Sequence, residues 1–480
     1  MSALPPLAID AHILHEDAFR PGTLLVEAGR IAGLAWSQGD RADLRSRAPE
    51  HLAAEHCWLI PGLVDAHAHA YAAMLRGTES SLPLELWALH TTVYGRALDA
   101  PALRAAILVG AAERLRCGIT ATIDHTPQVP LAETALAAHE ASGLRVGYAP
   151  FLHDVTDYEL MGLALPPSLA SIEHMAPFDA EAYAARFGEI VAAARGGSGR
   201  VTPILGPNAP QRCSPAARVL WRRLRERHGI MVHTHLLETR AQRQAGLHWA
   251  GGTVAAMERQ GLLDGRLAVA HGIWLDDADC AILARHDVTV VHNPASNLML
   301  GSGTLSYAAH RRHGVRLALG TDSANTGGRH DHFEAMRLAF MLHRAPATDP
   351  ATWPAAADIL RMATIDGAHV LGLGAETGRI AEGRLADLVL VRRNDASTLL
   401  LDDTLEGFVL HANTGAIDSV MIGGAWGLRA GRILAFDEAA ALAAAKSLRD
   451  EVLARAAPGL AEVRAAIPGV AEQLRRFIGH

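Results

Sequence analysis

The chain has 480 residues, half of them hydrophobic and a fifth charged, with a formal net charge of −7. That length buries one large core and a smaller one, and the acidic balance gives no reason to expect nucleic acid as a partner. No segment approaches the roughly 20 uninterrupted apolar residues of a membrane span, so no membrane partner is expected either. Met1 to Pro21 lacks a basic start followed by an apolar core, which argues against a signal peptide. The cysteines (Cys57, Cys117, Cys213, Cys280) are far apart and without paired spacing, so they read as reduced thiols of a cytoplasmic protein. Lys446 is the only lysine, and it lies in an Ala-rich stretch near the C-terminus. Schiff-base and pyridoxal chemistry, and metal pairs bridged by a carboxylated lysine, are thereby excluded.

In chain order, Gly22–Ala35 reads as two short strands joined by a Gly-Arg turn. Eight short apolar strands follow: Trp58–Ala66, Ile119–Asp124, Arg145–Phe151, Val201–Gly206, Ile230–Thr234, Leu267–Ala270, Val288–Val291 and Arg316–Gly320. Amphipathic helical stretches such as Ala102–Arg116 and Ala216–His228 separate them, which favours a parallel α/β fold. Arg195 to Arg200 reads as a flexible link within it. The strands run into His67 and His69, Asp124-His125, His153, Asn208, His233 and His235, His271, His292-Asn293 and Thr321-Asp322. Reactive side chains at the carboxyl ends of successive strands are how a (β/α)₈ barrel builds its site. The gaps after His69, Phe151 and Asp322 are long enough to carry specificity loops.

His67 and His69, two apart at a strand end, share one face and can share one metal; on a helix they would splay by about 200°. His233 and His235 repeat the spacing. The alternatives are ordinary ones: His271 as a core histidine, Asp322 as a helix cap, Glu238 as a solvated carboxylate at a helix start. His330-Asp331-His332 opens a helix, so its rings diverge and it reads as structural. His310 and His313 read as solvated. Gly372, Gly374 and Gly378 follow a helix with the wrong spacing for a dinucleotide fingerprint.

Past the last barrel strand, Gly383–Val391 and Ser419–Phe436 each read as two strands joined by a turn. The expected organisation is a TIM-like (β/α)₈ barrel over residues 61–374, with a small β-sandwich domain formed by residues 1–60 and 375–436. A helical segment over residues 437–480 would serve as a packing or oligomer arm.

The segments Pro61-Gly-Leu-Val-Asp-Ala-His-Ala-His69, His233-Thr-His-Leu-Leu-Glu238, Ala270-His-Gly272, His292-Asn-Pro-Ala-Ser-Asn297 and Gly320-Thr-Asp-Ser323 resemble the amidohydrolase superfamily. Within it the chain is similar to the mononuclear branch of aromatic-heterocycle deaminases and chlorohydrolases. That branch holds cytosine, guanine and S-adenosylhomocysteine deaminases and s-triazine hydrolases. The resemblance implies one divalent metal, Zn²⁺ or alternatively Fe²⁺, on His67, His69, His235 and Asp322. It implies that Asp322 takes the proton of the attacking water, His271 orients that water, and Glu238 protonates a ring nitrogen and then the leaving amine. Glu85, Trp87, Asn208, Arg212, Ser296, Asn297 and Ser323 are the expected substrate contacts, Trp87 offering a stacking face. Relatives often carry histidine where Asn208 stands.

The implied activity is hydrolytic deamination of a purine, pterin, pyrimidine or s-triazine, with water and the heterocycle as partners. A homo-oligomer is implied by resemblance alone. The rivals are hydrolysis of a C–Cl bond or a cyclic amidine or amide by the same site, and a catalytically silent binding protein.

Overall fold

The computed structural model describes residues 5–248, 252–344 and 349–479. Strands β1 (Leu7–His15), β2 (Ala18–Glu27), β3 (Arg30–Ala35) and β4 (Glu50–Pro61) come first. The barrel strands follow: β5 (Leu63–Asp65), β6 (Ala68–His69), β7 (Ile119–Thr126), β8 (Arg145–Leu152), β9 (Val201–Pro203), β10 (Gly206–Pro207), β11 (Val232–Leu236), β12 (Leu267–His271), β13 (Thr289–His292), β14 (Arg316–Leu319) and β15 (Asp322–Ser323). The chain then forms β16 (Leu388–Arg392), β17 (Ile417–Ile422), β18 (Ala425–Arg429) and β19 (Arg432–Ile433).

β5, β7, β8 and the β9/β10 pair lie side by side in parallel, and so do β11 to β14. A parallel bridge from Leu205 to Val232 joins the two halves on one side. On the other, β15 pairs with β6 and the Ala66 N–H donates to the Leu319 carbonyl at 2.9 Å. The result is a closed (β/α)₈ barrel. Its strands are short, rich in Val, Ile, Leu and Ala, and buried on both faces, as helix-covered parallel strands must be.

The expected first strand, Trp58–Ala66, is two elements of different sheets. β4 ends at Pro61 in the outer sheet and β5 starts the barrel at Leu63. Between them Gly62 passes so close to β7 that a Cβ would lie 2.0 Å from the Thr120 hydroxyl. Both stretches are apolar and buried, so composition leaves no mark at the handover. The fourth strand is interrupted as well, where Pro203 and Pro207 remove ladder donors.

The outer sheet has the order β19-β18-β17-β16-β4-β1-β2-β3, with β4 and β16 joining segments more than 300 residues apart. It curls until the β2–β3 turn meets the chain entering β16 and the β17–β18 turn: the Ala386 N–H donates to the Gly29 carbonyl (2.9 Å), and a Cβ on Gly29 would lie 2.7 Å from the Gly423 carbonyl. This gives sandwich-like packing over Ile9, Leu24, Leu59, Leu388 and Met421 from one continuous sheet. β1 lies where no strand was named from sequence. Gly383–Val391 supplies one strand, not two, because residues 383 and 384 instead trade backbone hydrogen bonds with Ile31.

A helix from Glu438 to Ile478 closes the chain. No helix among the described residues is long and apolar enough to cross a membrane. All four cysteines are free and buried. His310 corrects the solvated reading: it is fully buried, its Nδ1 2.7 Å from the Ser306 carbonyl one helical turn back. His313 stays at the surface and pairs with Asp277. In the His330-Asp331-His332 trio, Asp331 caps the helix His332–Met341 and both histidines are buried away from the cavity.

Candidate active site

The carboxyl ends of the barrel strands open into a cavity of about 970 Å³. At its floor, β6 places His69 and β11 places His235. The Nδ1–H of His235 donates to the Asn208 carbonyl at 2.6 Å, and the Nδ1–H of His69 donates to the His125 carbonyl. Each carbonyl can only accept, so both rings are fixed as tautomers with a bare lone pair on Nε2. Those two Nε2 atoms face each other at 3.3 Å with no proton to share, an arrangement that calls for a cation between them.

His67 completes the pattern. Its Nδ1 lies 2.7 Å from His233 Nε2, and its own Nε2 is buried without a partner. Asp322 Oδ1 sits 3.5 Å from that Nε2 and 3.3 Å from His69 Nε2. Three imidazoles therefore converge, with the Asp322 carboxylate beside two of them, the donor types of a single first-row divalent ion. Burial and the neighbouring histidines hold His235 well below its ordinary range, and burial above all holds His67 down at about 4. Burial alone would raise the Asp322 carboxyl, but His67, His271 and His69 outweigh it and keep the group ionised.

Two of these positions are conformationally expensive. Asp322 (φ 60°) and His271 (φ 76°) lie in the left-handed region, at a cost on the order of 1–3 kcal/mol each. Asp322 is held there by its neighbours. The Thr321 N–H and hydroxyl both donate to Asp65 at 2.8 Å, and the Asp322 N–H donates to the His67 carbonyl at 2.8 Å. Three such bonds, each contributing about 0.5–1.5 kcal/mol, are enough to offset the strain.

Across the floor, His271 turns Nε2 toward Glu238 Oε2 at 3.6 Å and Asp322 Oδ2 at 3.9 Å. Asn297 Oδ1, 2.9 Å from Nδ1, accepts from the other side of the ring and leaves Nε2 as an acceptor. Burial keeps the ring neutral. Glu238 is itself buried, and burial, helped by Asp322 and Glu85 and opposed by Arg212, raises its carboxyl well above the ordinary range. The site thus sets a carboxyl held well below the ordinary range, Asp322, near one pushed well above it, Glu238.

Of the expected substrate contacts, Glu85, Trp87, Asn208, Arg212 and Ser323 line the cavity. Ser296 and Asn297 do not: the Ser296 hydroxyl donates to Asp322 Oδ2 at 2.6 Å and Asn297 holds His271. Asn208 has two jobs, its carbonyl fixing His235 and its side chain accepting from Arg212 at 2.8 Å. Asp157 and Tyr158 on the wall, and Thr239 behind it, are residues that sequence reasoning left out of the site. Asp157 pairs with Arg212, Tyr158 donates to the Glu85 carbonyl at 2.7 Å, and Thr239 donates to the Glu85 carboxylate. His153 lines the cavity with an unpartnered Nδ1, and its position past an apolar strand was the available signal. His233 and Asp65 sit in quoted motifs, yet spacing alone assigned them no partner.

A model of the amidohydrolase family matches residues 58–427. The chain is 31% identical over 408 residues to a 5-methylthioadenosine/S-adenosylhomocysteine deaminase of Thermococcus kodakarensis, covering 84% of this chain and 88% of the relative. It is 31% identical over 430 residues to a 5'-deoxyadenosine deaminase of Methanothermobacter thermautotrophicus, covering 89% and 93%. The crystal structure of an adenosine deaminase from Xanthomonas campestris with bound zinc superposes with a TM-score of 0.82 at 28% identity, covering 93% of this chain and 98% of the other.

Proposed function

The chain belongs to the amidohydrolase family, and on that footing we propose that it deaminates an amino-substituted nitrogen heterocycle by hydrolysis. His67, His69, His235 and Asp322 would hold one divalent metal, for which zinc is the first choice because the Xanthomonas neighbour carries it. Such an ion would acidify the attacking water and supply positive charge. The observation that carries the reading is the buried Glu238 carboxyl, which faces the same His271 Nε2 as Asp322 and is pushed well above the ordinary range by burial.

The residues divide the reaction as follows. Asp322 Oδ2, steadied by Ser296, accepts a proton from the water as it adds to the ring carbon bearing the amine. His271 Nε2, fixed as an acceptor by Asn297, orients that water. Glu238 protonates the adjacent ring nitrogen, so that the electrons of the broken C=N bond rest on a neutral atom. The amine then takes the proton held by Asp322, and the new hydroxyl gives its proton to the ionised Glu238 as the C=O bond forms, the exocyclic C–N bond breaks and ammonia leaves, which restores both carboxyl groups. Trp87 and Glu85 on the wall would meet the ring and its substituents.

The two relatives and the zinc-bound neighbour are named for adenosine-type compounds, which puts aminopurines and their nucleosides at the head of the panel, before pterins, pyrimidines and triazines. The test is ammonia release from zinc-loaded protein across that panel. Release from one ring class supports the proposal. Chloride or a ring-opened acid as the only product would refute deamination while keeping the hydrolytic site.

A further inference from the structure

The C-terminal helix Glu438–Ile478 runs 41 residues, about 60 Å at 1.5 Å per residue. It starts beside the outer sheet, where Glu438 pairs with Arg116, and passes along helices Ala100–Arg116 and Leu84–Arg96. Its final stretch lies against the cavity wall. Val463, Val470 and Leu474 are buried in one apolar cluster with Leu86 and Leu89, with Tyr158 and Met161, and with Ala241 and Ala245. Gln473 adds a reciprocal pair, its amide donating to the Ala164 carbonyl at 3.1 Å and its oxygen accepting the Ala164 N–H at 2.9 Å.

Those apolar partners sit on three separate elements, each carrying a cavity residue. Helix Leu84–Arg96 presents Glu85 and Trp87, helix Asp157–Met161 presents Asp157, and helix Arg240–His248 follows Glu238. Gln242 on that last helix accepts the Glu238 backbone N–H at 2.9 Å. The loops start from three different barrel strands. Apart from direct packing of helix Asp157–Met161 on helix Arg240–His248 and side-chain bonds through Glu85 and Arg212, their shared support is the end of one helix from the far end of the chain.

We propose that the end of the C-terminal helix, from Val463 on, is a strap that holds these three loop helices in register and thereby sets substrate affinity without touching the substrate. Val463, Val470, Gln473 and Leu474 are positioning residues in this account. The metal donors sit on barrel strands and do not depend on them.

The experiment compares full-length Leu474→Ala and Gln473→Ala with Leu44→Ala, a remote core truncation under the outer sheet. Hydrogen exchange is read segment by segment, beside metal content, kcat and KM. In both strap variants exchange should quicken together in residues 84–96, 157–161 and 240–248 while the barrel strands keep their protection. KM should rise about fivefold to tenfold with kcat within about twofold and the metal retained. Leu44→Ala should leave KM and those segments unchanged. Uniform acceleration across the barrel, or loop protection and KM equal to the parent, would overturn the strap. The kinetic arm rests on the proposed deamination, whereas the exchange arm does not. If the parent turns over no heterocycle, exchange alone decides the strap.

Discussion

At the floor of the cavity each reactive side chain is fixed by a second group at a strand end: His69 by the His125 carbonyl, His235 by the Asn208 carbonyl, His271 by Asn297, and Asp322 by Ser296 and Asp65 through Thr321. At the wall, Glu85, Asp157 and Tyr158 are fixed mainly to each other's loops and to a distant helix. The floor is held by neighbouring strands hydrogen-bonded to one another around the barrel. The wall depends on packing between segments that meet only in the finished fold. In the proposed reaction chemistry falls to the first and recognition to the second, a division that lets specificity change with the catalytic geometry intact.

Removing a donor should break the floor most severely. His235→Ala should lose metal and lower kcat/KM by on the order of 10³ or more, read by metal analysis beside turnover. Glu238→Gln should keep metal and lower kcat by about 10²–10⁴, the usual contribution of a positioned general acid. Asn297→Ala frees the His271 ring and should lower kcat by about 10–100-fold, the scale seen when an orienting partner is lost. If Asn297→Ala raised KM alone, Asn297 would belong to the wall and the division would fail.

The pH effects are smaller and carry definite signs. With Glu238 as the proposed acid and its pKa raised by burial, kcat should fall as pH rises through that raised value. His67 is pushed down by burial, from 6.5 when unfolded to about 4 in the folded metal-free protein. The unfolded chain then binds the extra proton first, so metal-free stability should fall as pH drops from 6.5 toward 4. Thermal melts of the metal-free protein across that range would test it.

The floor was legible in the sequence because strand-end periodicity maps directly onto space. His67 and His69 share a face, and Glu238 follows His235 by a fixed short turn. The same periodicity could not separate His233 from His235. Both point into the barrel, but His233 backs His67 from below, and depth along a strand leaves no trace in spacing. Ser296 and Asn297 read as substrate contacts for a related reason, since their motif marks the site but not which side of a ring they touch. The strap could not be read at all. Val463 and Leu89 are more than 370 residues apart in the chain, and an Ala-rich helix announces its apolar face without naming what it covers.

In the proposed hydrolysis of an exocyclic amine, Glu238 supplies the acid and the His67, His69, His235 and Asp322 set would hold the metal that activates water. That division is tested most directly by measuring ammonia release from the aminopurine-led panel with zinc-loaded parent and zinc-loaded Glu238→Gln side by side. The account predicts one ammonia per turnover from a single ring class with the parent, and a loss of about 10²–10⁴ in kcat with undiminished zinc in the variant. Equal rates in the two proteins would contradict it.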